Sequence, residues 1–121
     1  MNENTTLVAE LRGWIEENRD RLATDGVLIT DKLPKVQDNE QSKGCVGLSR
    51  NHILISFTAW DRRPIPVELL VYNTRVSRTV IMKDFELQSP KDVLEELNQV
   101  ANILTSGEYD DMKADPRLSI T

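Results

Sequence analysis

Cysteine, histidine and aromatic residues are scarce in this sequence of 121 residues, which has one cysteine, one histidine and 5% aromatic residues. The lone Cys45 cannot form an internal disulfide or a cysteine-rich metal site, and this agrees with a reducing compartment. Zinc binding would depend on carboxylates. Asp110, Asp111 and Asp115 do not have the spacing of a calcium-binding loop. We therefore expect no bound metal and no other cofactor.

The common groupings of catalytic residues are also missing. Nucleophilic catalysis needs a nucleophile, a base and an orienting group, whereas Cys45 and His52 belong to no known motif. A hairpin could bring these two together, but a buried structural cysteine is the commoner state. Asp84 and Glu86 would share one face of a strand, as an acid/base pair requires, and solvated surface positions explain them equally well. We expect no catalytic residues and no enzyme.

Long apolar runs and an excess of positive charge are absent as well. No apolar stretch approaches the roughly 20 residues of a membrane span, and residues 1–6 lack the positive segment of a secretory signal. We expect a soluble, cytoplasmic protein that does not bind a membrane. The net charge of -5 disfavours nucleic acid as a partner. It suits a basic protein partner, and a plain contribution to solubility explains it equally well.

The segment from His52 to Trp60 alternates as a β-strand does, and the rest of the chain is organised around it. Its apolar row consists of Ile53, Ile55, Phe57 and Ala59. Its second row consists of Leu54, Ser56, Thr58 and Trp60. Successive side chains of a strand point to opposite faces, so the first row is predicted to face a core. The second row is too polar for another core and is the best candidate for a working surface.

The remaining elements follow from periodicity and capping signals. Apolar residues at three- and four-residue intervals predict a helix over residues 6–23, capped by Thr5 or Thr6. Ser89, Pro90 and Asp92 predict a second helix that begins at Pro90 and ends at Ser106-Gly107. Besides the central strand, alternation predicts strands at 27–30, 45–48, 67–72 and 78–87. Polar or proline-containing loops are predicted at 31–44 and 61–66, and a tight turn at 49–51.

The inward row of the last strand is left open by the sequence. Val80 with Met82 forms one apolar row, whereas Ile81, Phe85 and Leu87 form the other. A bulge near Lys83-Asp84 would let the strand use parts of both rows.

The order of elements predicts a single α+β domain over residues 1–121. We expect an antiparallel meander of four or five strands with the N- and C-terminal helices packed on one face, and irregular tails at 1–5 and 108–121. The uncovered face provides the candidate partner-binding residues Trp60, Glu68, Leu70, Tyr72 and Thr58. Trp and Tyr are frequent anchors of protein interfaces, and Glu68 would belong to a charged rim. Alternatively, Trp60 caps the edge of the core.

Three stretches give the chain a resemblance to small bacterial immunity proteins of the TriTu type, which accompany polymorphic toxins. They are Trp14-Ile15 in the first helix, residues 53–61 in the central strand, and residues 85–94 where a strand passes into the last helix. The likeness runs from about Leu7 to Leu104 and is one of layout, without a diagnostic motif. It implies a cytoplasmic, non-enzymatic protein that binds a cognate toxin domain, often by covering its active site. No family binding residues are carried over.

The runner-up interpretation is an acidic secretion chaperone that holds an unfolded effector. Such chaperones are similar to this chain in size and charge, but they usually insert a helix between strands, and the sequence predicts none there. An obligate dimer would favour the chaperone. The sequence leaves open whether the protein is a monomer or a dimer.

Overall fold

The computed structural model describes residues 6–31 and 43–112, which form two helices and five strands. The elements in chain order are α1 (Leu7–Thr24), β1 (Leu28–Asp31), β2 (Lys43–Arg50), β3 (Ile53–Trp60), β4 (Ile65–Asn73), β5 (Arg78–Leu87) and α2 (Pro90–Ser106). The strands lie side by side in chain order, each antiparallel to the next. Both helices pack on the same face of this sheet. The predicted α+β meander is confirmed.

The central strand of the sheet is β3, and its apolar row lies in the core. Phe57 and Ala59 are fully buried and Ile55 is 4% exposed. The residues that face Ile55 across the ladder, Leu48 on β2 and Val71 on β4, are buried too. Removing this apolar surface from water is the main favourable term in folding. The predicted inward row is therefore confirmed.

The first helix is attached to the end of β3 by its own N-terminus. Thr6 Oγ1 accepts a hydrogen bond from the Ala9 N–H at 3.1 Å, which confirms Thr6 as the cap. Asp61, directly after β3, accepts a second bond from the Leu7 N–H at 3.2 Å through Oδ2. A carboxylate at a helix N-terminus also interacts favourably with the helix dipole. These contacts fix where α1 starts relative to the sheet.

Gly13 is a weak position in the interior of α1. It is exposed, and no atom lies within 4 Å of the place where a Cβ would be. Glycine in a helix interior costs about 1 kcal/mol relative to alanine. We expect Gly13→Ala to raise the free energy of unfolding by about 1 kcal/mol in urea titrations. Gly107→Ala is the matched control and should lower stability, because Gly107 has a φ of 86°. A Gly13→Ala variant no more stable than the wild type would contradict this expectation.

The second helix has the predicted ends. Ser89 Oγ accepts a hydrogen bond from the Asp92 N–H at 3.2 Å, and Pro90 is the first helical residue. Gly107 ends the helix in the left-handed conformation. Trp14 on α1 is 3% exposed, and its indole Nε1 donates to Asn98 Oδ1 on α2 at 2.8 Å. The two helices are thus joined by a specific bond within their packed layer.

The last strand contains a bulge, but at a different place from the predicted one. Val71 faces Ile81 while Tyr72 faces Thr79, so Val80 is the extra residue. Val80 is buried and Ile81 is partly buried against the core, whereas Met82 is exposed. The predicted position near Lys83-Asp84 was wrong, because the inward row changes between Val80 and Ile81, and the extra residue lies there.

Pro66 was predicted in a loop and lies instead in β4, opposite Glu86. The ladder between β3 and β4 ends at Ala59 and Val67, so Pro66 has a paired neighbour only on the β5 side. Proline is tolerated at the start of a strand for this reason. The loop after β3 is correspondingly shorter than 61–66.

The connections around β2 also differ from the sequence prediction. The turn into β3 is formed by Asn51-His52 and not by residues 49–51, and Asn51 has a φ of 55°. Asparagine tolerates this left-handed conformation in two-residue hairpins. Asp31, Lys43 and Gly44, all predicted in the loop at 31–44, belong to strands. Residues 32–42 lie outside the described part of the chain.

Residues 108–112, the start of the predicted irregular tail, pack against the body of the domain in turns. Tyr109 is 3% exposed and belongs to the hydrophobic core. The buried Asn73 at the end of β4 donates from Nδ2 to the Met112 carbonyl at 2.9 Å. These contacts hold the segment against the sheet. Residues 113–121 and 1–5 lie outside the described part of the chain.

The burial of Tyr109 predicts a loss of stability at high pH. Burial, with smaller contributions from Glu108 and Glu96, raises the pKa of its phenol to about 12 from 10.0. Below pH 10 the phenol is protonated in both states, so its contribution is fully present there. Between pH 10 and 12 only the unfolded state releases the proton, so stability falls as the pH rises. At pH 11 the loss from this group should be about 1 kcal/mol.

The measurement compares urea unfolding of the wild type and of Tyr109→Phe at pH 8 and pH 11. The wild type should lose about 1 kcal/mol more than the variant between these pH values, because phenylalanine has no proton to release. Other groups titrate in this range and affect both proteins alike. Parallel losses in the two proteins would refute the role of Tyr109.

Candidate functional site

The face of the sheet opposite the helices, called the open face below, brings the sequence-predicted residues together. Its directly opposed pairs are Leu54 with Tyr72, Ser56 with Leu70, Thr58 with Glu68, Leu70 with Met82, and Glu68 with Asp84. Trp60 lies two residues beyond Thr58 on the same strand and so points to the same side. All five candidate residues therefore share one surface, as the alternation of β3 and β4 predicts.

Large apolar side chains cross the open face in a band that consists of Leu28, Leu54, Leu70, Tyr72 and Met82. Leu28 is 66% exposed, Met82 55%, Leu54 45% and Tyr72 36%. Side chains of this size, exposed next to one another, are typical of interaction surfaces. Leu70 and Tyr72 were predicted as partner-binding residues, and Leu54 belongs to the row predicted as the working surface. The register adds Leu28 and Met82, because Leu28 faces Ser49, which in turn faces Leu54, and Met82 faces Leu70.

Thr58 lies on the open face yet has little accessible surface. It is 8% exposed, between its cross-strand neighbours Cys45 and Glu68. A partner would therefore meet mainly the side chains around Thr58. This burial was not visible in the alternation of the sequence, which gives the face of a residue but not the size of its neighbours.

Trp60 lies half-buried at the end of β3, next to a shallow groove. The groove has a volume of about 360 Å³ and is lined by Trp60, Pro66, Val67, Asp84, Phe85 and Glu86. Lys43, paired with Trp60 across the ladder, places its Nζ 5.6 Å from the centre of the indole ring. This is the distance of a cation–π contact. The ring thus combines a partly exposed apolar surface with an affinity for positive charge.

Two carboxylates, those of Asp84 and Glu86, line this groove, and together with the neighbouring Glu68 they form what is called the acidic cluster. Glu68 and Asp84 face each other across the ladder, and Glu86 follows two residues along on the same side of β5. Like charges directly opposed in a sheet are destabilising. Among the described residues the ion pairs are Arg19 with Asp31, Arg50 with Asp110, and Arg63 with Asp61. None of them neutralises the acidic cluster.

Cys45 and His52 are not brought together. Cys45 is five ladder positions from Arg50, the last residue before the turn that contains His52, a separation of about 17 Å at strand spacing. The Cys45 Sγ instead lies 3.6 Å from Ser56 Oγ. No group of three or more His, Cys, Asp or Glu side chains that could hold a metal ion occurs within 6–31 and 43–112.

His52 has a structural contact at the turn end of the sheet. Its Nε2 lies 2.7 Å from the Asp110 carbonyl oxygen, which can only accept, so Nε2 is the donor. Arg50 Nη1 lies 3.6 Å from the carboxylate of the same Asp110. Both contacts hold the segment after α2, and this end of the sheet lies away from the groove beside Trp60. Neither contact could be predicted from the sequence, because the two partners of each lie more than 50 residues apart.

Neither described helix has the length and apolar character needed to cross a membrane. Comparisons of the chain with protein-family models, with curated proteins and with solved structures find no match.

Proposed function

We propose that this chain is a bacterial immunity protein that binds a cognate toxin domain through its open face and thereby neutralises it. The observation that carries the proposal is the sheet itself. One side is buried under both helices, whereas the other exposes the apolar band beside the acidic cluster. Exposed apolar side chains next to charged ones are the composition of a protein interface, with a core and a rim.

The partner that suits this face is a basic protein. The chain has a net charge of -5, and Glu68, Asp84 and Glu86 add unpaired negative charge on the surface that would make contact. Complementary charge of this kind speeds association and selects against acidic partners. A toxin whose active site binds nucleic acid would present such a basic surface.

Neutralisation by this route is stoichiometric and needs no catalytic residue or cofactor of the chain's own. The chain covers the toxin and excludes its substrate, so protection should follow the affinity of the complex. The compartment implied is the cytoplasm, where an unsecreted toxin would otherwise act.

The experiment is co-expression with the toxic domain of the protein encoded by the gene next to this one. Colony counts should recover when the chain is present, and the two proteins should co-elute as a complex of fixed stoichiometry. The matched variant is Leu54→Arg with Met82→Arg, which places two positive charges in the apolar band and should abolish protection. Killing that is unaffected by the wild-type chain would refute the proposal.

The purified chain and its complex also distinguish an immunity protein from the alternative, an acidic secretion chaperone. Light scattering of the isolated chain and of its complex gives the oligomeric state. A chain that is an obligate dimer and binds its neighbour only in an unfolded form would contradict the immunity function. A folded toxin domain in the complex would support it.

A further inference from the structure

We infer that the groove beside Trp60 is a binding site for an arginine side chain presented by the partner. This inference rests on the proposed function for the identity of the partner. The preference for arginine depends only on the residues of the groove. The ligand class is a guanidinium group in an exposed segment of a basic protein.

The groove carries negative charge that no basic group of the described residues neutralises. Asp84 and Glu86 line the groove, and Glu68 faces Asp84 from the neighbouring strand. Opposed carboxylates repel each other, and none of the three lies within ion-pair distance of a basic group in the described part of the chain. A cation from outside would relieve this repulsion, so the groove is electrostatically complementary to one.

The indole ring of Trp60 forms an aromatic wall of the groove. Lys43 Nζ lies 5.6 Å from the centre of the Trp60 ring, so the indole already attracts a cation of the chain itself. A lysine ammonium is a compact point charge on a flexible stem. A guanidinium is planar, stacks on an indole and bonds a carboxylate through two parallel N–H groups. Trp60 on one side and Asp84 with Glu86 on the other therefore suit arginine better than lysine.

The groove is also open to a side chain from another protein. The groove is shallow, and its volume of about 360 Å³ lies at the end of β3 next to the exposed Asp84 and Glu86. A side chain that extends from another protein can enter it without any movement of the sheet. The apolar band continues along the same face, so a partner with an arginine in the groove would also cover Leu70 and Met82.

The test uses the isolated chain and the peptide acetyl-Gly-Arg-Gly-Arg-Gly-amide. The citrulline version of the peptide has the same shape without the charge. Proton–nitrogen NMR spectra report on the indole N–H of Trp60, and that of Trp14 is an internal reference because it is buried and bonded to Asn98. The arginine peptide should shift the Trp60 signal and residues 84–86, with an affinity at least fivefold higher than that of the citrulline peptide.

Variants localise the binding. Asp84→Asn with Glu86→Gln should weaken the arginine peptide at least fivefold and raise the unfolding midpoint, because repulsion is removed. Glu16→Gln with Glu17→Gln on exposed positions of α1 changes the net charge equally and should leave the affinity unchanged. Lys43→Ala should increase the affinity, because the competing cation is gone.

Equal binding of both peptides, or equal weakening by both double variants, would overturn the arginine site. The proposed function fails separately. Arginine-specific binding without protection from the toxin would support the arginine site and refute the immunity function. Full protection by Asp84→Asn with Glu86→Gln would support the immunity function and show that the partner does not use the groove.

Discussion

Phe57→Ala is expected to lower the free energy of unfolding by about 3–5 kcal/mol, which is a large part of the 5–15 kcal/mol typical of a whole domain. Phe57 is fully buried on the central strand, between Val46 on β2 and Leu69 on β4. Truncation removes its transfer free energy and leaves a cavity that strands paired on both sides cannot close. Urea denaturation monitored by circular dichroism gives the value.

The matched control lies three residues away on the same strand. Leu54→Ala removes a large apolar side chain from the open face, where 45% of it is exposed, and should cost less than about 1 kcal/mol. The two variants together test whether the sheet is buried on one side only. A Leu54→Ala variant as unstable as Phe57→Ala would show that the open face is covered.

Much of this fold could be predicted because two local signals dominate it. The alternation of β3 gives both rows, and the Ser89-Pro90 pair gives the start of α2. Each signal depends only on residues close in sequence. The same alternation on β4 predicted that Glu68, Leu70 and Tyr72 lie on the same face as Trp60, although Tyr72 faces Leu54 at the opposite end of β3.

The features that sequence reasoning missed depend on contacts between distant residues. The bulge at Val80 is fixed by which β5 residues meet β4, and the burial of Tyr109 by how the chain folds back after α2. The acidic cluster is a further example. Asp84 and Glu86 were considered only as a pair on one strand, and their relation to Glu68 appears only when β4 and β5 are aligned.

Trp60→Ala is expected to weaken binding of the proposed toxin partner by more than about 1 kcal/mol, at least fivefold in Kd. Trp60 is half-buried at the edge of the open face and lines the groove beside Asp84 and Glu86. Truncation removes an apolar wall and a cation–π surface together. Trp60→Phe should retain most of the affinity, since it keeps an aromatic ring. Isothermal titration calorimetry measures both.

Stability and binding have to be separated in this experiment, because Trp60 is half-buried and its truncation also changes buried surface. Unfolding of Trp60→Ala should remain cooperative, with a loss smaller than that of Phe57→Ala. Val76→Ala is the control for loss of an exposed apolar side chain outside the groove, since Val76 lies in the β4–β5 turn and is 38% exposed. It should bind as the wild type does. Unchanged affinity of a folded Trp60→Ala protein would remove Trp60 from the interface and leave the apolar band as its centre.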